Sequence, residues 1–97
     1  MKAKAAVVGL IGGNDNSTVA SVRIARYAAR RLELPLIFPG EQGAIALEAW
    51  LKGKPKTMIL VNGPLLYVTA GHKRFCELLV RAVRTVPNVV WAQNDYT

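Results

Sequence analysis

The densest polar chemistry in this chain follows a buried-type strand, Asn88-Val89-Val90-Trp91-Ala92, which leads into Gln93-Asn94-Asp95-Tyr96. Two amides able to hydrogen-bond a sugar or a base stand beside a carboxylate and a ring able to stack. A carboxylate placed against an alcohol can take its proton as general base, which makes Asp95 the candidate catalytic residue. Asn-Asp-Tyr is also an ordinary turn sequence. A second polar break, Asn62-Gly63-Pro64, follows Met58-Ile59-Leu60-Val61, and Tyr67 lies shortly beyond it. Asn62 is suited to a ligand hydroxyl or base edge, although Asn-Gly-Pro serves equally as a turn. Tyr67 and Tyr96 are the candidate stacking rings.

A third break, Gly12-Gly13-Asn14-Asp15-Asn16-Ser17, comes after the first apolar run. The glycines at 9, 12 and 13 do not form the dinucleotide pattern, and no Gly-Lys-Ser or Gly-Lys-Thr closes a P-loop. Backbone N–H groups at Asn16, Ser17 and Thr18 would still present a positive helix end to a phosphate or carboxylate. Gly13, Asn14 and Ser17 are therefore candidate substrate-binding positions, the alternative being a helix start capped by Asn16 or Ser17. Cys76 and His72 are single residues of their kinds. No intrachain disulfide can form, and a protein zinc site, which needs about four Cys or His ligands, is not expected. The reading is metal-free, with no tightly bound cofactor.

The elements that must position these residues alternate. Ala3–Leu10 reads as a strand, and residues 18–32 as a helix with Val19, Val22, Ala25, Ala29 and Leu32 on one face. Leu34–Phe38 reads as a second strand, Glu41–Lys52 as a helix ended by Gly53, and Thr57–Val61 as a third strand. Residues 65–70 are equally strand extension or ordered loop. Residues 72–86 carry Phe75, Leu79, Ala82 and Val86 at helical spacing, and residues 88–92 form a fourth strand in which Trp91 is expected to pack. Strand and helix in this order imply an α/β, Rossmann-like, three-layer β-α-β-α-β-α-β domain with a four-stranded parallel sheet, because each parallel crossover needs a helix. In such a sheet ligands collect at the carboxyl ends of the strands, where all three polar breaks fall.

The 97 residues carry 13 Lys and Arg against 6 Asp and Glu, a formal charge of +7. That surplus suits polyanions, and Arg23, Arg26 and Arg30 off the apolar stripe, with Lys73 and Arg74, are the candidate nucleic-acid contacts. Docking of acidic partners and simple solubility are the other readings of the charge. The longest apolar runs fall well short of the roughly 20 residues of a bilayer span. Met1–Gly13 has the outline of a signal peptide but fits a first sheet strand better, so a cytoplasmic protein is expected.

The run from Met58 through Asn62-Gly63-Pro64 and Tyr67 to Gly71-His72-Lys73, with Val89-Val90-Trp91-Ala92-Gln93-Asn94-Asp95-Tyr96, resembles the amino-terminal domain of phage DNA glucosyltransferases. The likeness is to the β-glucosyltransferases that modify hydroxymethylcytosine, which are two-domain GT-B enzymes. It is recognisable residue by residue between Met58 and Asp95. It implies DNA modification in a host cytoplasm, with Asp95 as the base for inverting transfer from a nucleoside-diphosphate sugar. It also implies that the donor is held largely by a second domain or subunit, so that the chain alone is inactive. The alternative is a non-catalytic Rossmann-like module that binds nucleotide, nucleic acid or protein, or that completes its sheet as a homodimer.

Overall fold

The computed structural model describes residues 3–10, 16–62 and 73–93. Its elements are β1 (Ala5–Leu10), α1 (Asn16–Leu32), β2 (Leu36–Ile37), α2 (Glu41–Lys52), β3 (Thr57–Asn62), α3 (Lys73–Thr85) and β4 (Asn88–Gln93). The four strands form one all-parallel sheet in the order β2-β1-β3-β4. This is the Rossmann-like α/β arrangement that the alternation of elements predicts.

Burial explains the strand compositions. β1 is central and covered on both faces, so it reads as a continuous apolar run rather than an alternating one. Ala6, Val8 and Leu10 pack with Met58 and Leu60 of β3 beneath Leu47 and Trp50 of α2 and Phe75, Leu78 and Ala82 of α3. Val7 and Val61 face the other way, against Ala25 and Ala29 of α1. One helix thus covers one face and two helices the other. Trp50 is fully buried and its Nε1 donates to the Ala3 carbonyl at 2.9 Å, tying α2 to the segment that leads into β1.

Two local features depart from the sequence reading, the length of the second strand and the exposure of Trp91. The second strand pairs only at Leu36–Ile37, because the prolines at 35 and 39 have no N–H to extend a ladder. Pro35 still contributes its carbonyl, which accepts from the Val7 N–H at 2.9 Å. Gly53 ends α2 as the sequence predicts, and the left-handed conformation falls on the residue after it, Lys54 (φ 51°). Trp91, expected to pack, is 54% exposed on β4. β4 is an edge strand over which no helix packs extensively among the described residues, whereas the other edge strand, β2, is covered and buries Ile37.

Gly40 and Gly43 shape the entry to α2. Gly40 has φ 132°, a conformation that costs an L side chain free energy, and its carbonyl accepts from Ala44 at 2.9 Å. A Cβ on Gly43 would fall 1.6 Å from the Phe38 carbonyl oxygen, so only glycine lets α2 approach the end of β2 this closely.

Candidate functional site at the strand ends

β1 stands between β2 and β3, so the chain leaves it in one direction and returns on its other side. This reversal is the switch point where doubly wound sheets open a crevice for ligands. Registration then places Leu10 opposite Asn62, and Asn62 opposite Gln93. Three strands therefore end in one row, and the polar segments of the sequence begin immediately past it. Ser17 lies in the first turn of α1 and Asn62 closes β3. Gly13, Asn14, Tyr67, Asn94, Asp95 and Tyr96 lie outside the described residues.

The entrances of α2 and α3 flank this edge. A groove of about 360 Å³ between them is lined by Glu41, Ala44, Glu48, Arg74 and Phe75 among others. Arg74 pairs with Glu48 across the two helices and approaches Glu77 at 3.6 Å on its own helix. The pairing has a cause: a cation in the first turn of a helix meets the positive end of the macrodipole, and two carboxylates relieve it. Arg74 is a bracing cation in this structure, while Lys73 beside it is exposed.

The proposed nucleic-acid contacts do not form one surface. Arg23, Arg26 and Arg30 are exposed along α1, which packs on the sheet face opposite α3 and hence opposite Lys73 and Arg74. Within α1 the three arginines share a face with Tyr27, which is 67% exposed. Among the described residues, the salt bridges of the cations are those of Arg74. Tyr27 is a stacking candidate that the sequence reading passed over, although its position between Arg23, Arg26 and Arg30 was legible from helical spacing.

Cys76 is half-buried on α3. No group of three or more metal-ligating side chains occurs among the described residues, and no helix among them is long and apolar enough to cross a membrane. Compared with known proteins, the chain matches no family model, no curated protein and no solved structure.

Proposed function

We propose that this chain is the acceptor-binding part of a phage-type GT-B glycosyltransferase acting on DNA or another sugar acceptor. The observation that supports the reading is the row Leu10, Asn62 and Gln93, which aligns the carboxyl ends of β1, β3 and β4 at the switch point. Asp95 follows two residues after Gln93. In this reading its carboxylate takes the proton of the acceptor hydroxyl as the oxygen attacks the anomeric carbon of the sugar. The bond from that carbon to the diphosphate breaks with its electron pair, and the sugar configuration inverts. The nucleoside-diphosphate sugar is held by a second domain or subunit. Asn62, Asn94 and Tyr96 position the acceptor.

The test is a binding comparison by fluorescence anisotropy between a hydroxymethylcytosine duplex and an unmodified duplex of the same sequence. The expected result is tighter binding of the modified duplex, with the preference removed by Asn62→Ala or Asp95→Ala. Equal affinity for both duplexes contradicts a hydroxymethylcytosine acceptor site. In the complete enzyme, Asp95→Asn is expected to lower sugar transfer by about 10²–10⁴-fold, the usual worth of a general base.

A second reading, a non-catalytic nucleic-acid-binding module, is favoured by the arginine face of α1 with Tyr27 within it. Arginines that neutralise phosphates beside an exposed ring are the combination that holds single strands. Tyr27→Ala is then expected to weaken single-stranded DNA more than duplex DNA.

A further inference from the structure

The positive charge of this protein is concentrated at the end of the sheet opposite the candidate acceptor site. All four strands are parallel, so the loops entering them share one edge, and the helices deliver their last turns to it. Lys4 immediately precedes β1, Lys52 closes α2, and Lys54 and Lys56 fill the turn before β3. Arg31 and Arg84 come from the last turns of α1 and α3. Backbone hydrogen bonds hold the entry segments side by side: Lys56 N–H donates to the Lys4 carbonyl at 2.7 Å, and Asn88 N–H to the Lys56 carbonyl at 3.0 Å. The Lys4 ammonium in turn donates to the Gly53 carbonyl at 3.1 Å.

Complementing helix dipoles explains only part of this arrangement. Cations in a last turn, such as Arg31, Lys52 and Arg84, are favourable next to unpaired helix carbonyls. Lys4, Lys54 and Lys56 lie outside the helices. Lys4 is accounted for by its bond to the Gly53 carbonyl at the end of α2, but setting Lys54 and Lys56 beside these cations adds repulsion that no salt bridge among the described residues relieves. They also border a cleft of about 410 Å³, in which Lys52, Lys54, Lys56 and Arg81 surround an apolar floor that includes Leu51 and Pro55. The one carboxylate lining it, Glu48, is already paired with Arg74.

We propose that this amino edge is a docking surface for the phosphodiester backbone of nucleic acid. Charge complementarity selects the partner class, and the concave distribution of cations suits a ridge of phosphates better than the plane of an anionic membrane. A six-residue strand is about 20 Å long, so phosphates held here belong to a segment other than one whose base reaches the opposite edge. The surface would anchor flanking nucleic acid without reading its sequence. The inference does not depend on sugar transfer.

The test is duplex DNA affinity across a salt series for the wild-type chain and for Lys52→Gln/Lys56→Gln/Arg84→Gln. All three side chains are exposed, so the variant is expected to keep the wild-type circular dichroism spectrum, with a small fall in melting temperature from the loss of two helix-end cations. Loss of three phosphate contacts is expected to reduce the slope of log affinity against log salt by about 2.7, with about tenfold or greater loss of affinity at low salt. A slope within about one unit of wild type overturns the proposal. So does binding to phosphatidylserine vesicles that exceeds binding to duplex. Equal affinity for hydroxymethylated and unmodified duplexes, fatal to the acceptor site, leaves these expectations unchanged.

Discussion

Trp50 and Trp91 show how position, not side-chain type, decides burial. Trp50 is enclosed between α2 and the sheet with its N–H bonded to the Ala3 carbonyl, whereas Trp91 stands on the outermost strand. Acrylamide or iodide quenching is expected to act on Trp91 emission and spare Trp50, a difference that single-tryptophan variants will display. Trp50→Phe removes volume from the core and leaves a carbonyl without its donor, so it is expected to cost about 2–3 kcal/mol in a urea titration. Gly43→Ala forces α2 away from the Phe38 carbonyl and is expected to cost about 2–3 kcal/mol, read as a lower urea midpoint. The importance of Gly43 was not legible in the sequence, because a glycine inside a helical pattern does not disclose which backbone passes beside it. Trp91 misled for a related reason: the apolar run Val89–Ala92 fits a strand covered on both faces, and coverage depends on helices that the run itself does not specify.

Helix ends show a different mismatch between residue type and conformation. α1 closes with Leu34 N–H donating to the Ala29 carbonyl at 2.8 Å, around Glu33 at φ 56°. Glycine normally occupies that left-handed position, and a side chain there costs about 1 kcal/mol. Glu33→Gly is therefore expected to raise the unfolding free energy by about 0.5–1 kcal/mol, measured by thermal or urea melts. Among strands, β4 leaves one side unpaired in the described residues, with Val89, Val90 and Trp91 exposed and no charged residue along it. Such a strand is a template for pairing with a second copy of the chain. Sedimentation at increasing concentration is expected to show rising mass for wild type and a smaller rise for Val90→Lys; a concentration-independent monomer would contradict this. The existence and order of the elements were legible because apolar periodicity switches cleanly between strand and helix. The two-residue length of β2 was legible only in part, since proline at 35 and 39 signals lost donors but not where pairing ends.

At the scale of the molecule, parallel topology gives the two ends of the sheet different chemistry. The carboxyl edge receives Leu10, Asn62 and Gln93 in register, followed in sequence by amides, a carboxylate and aromatic rings. The amino edge receives lysines from the entrances of β1 and β3 and cations from the last turn of each helix, with Lys52, Lys54, Lys56 and Arg81 lining one cleft. Composition announced the charge of +7, but only strand order could say where it accumulates. The sequence likewise named Asn62 and Asp95 as candidates, while the alignment of their strands came from the register. The most direct measurement of the central claim is an amide chemical-shift map of the isotope-labelled chain, titrated with a hydroxymethylcytosine duplex and with the unmodified duplex. The account predicts shifts along the amino edge with both duplexes, and shifts at Leu10, Asn62, Gln93 and Asp95 only with the hydroxymethylated one. Identical maps for the two duplexes, with no change at those strand ends, would contradict it.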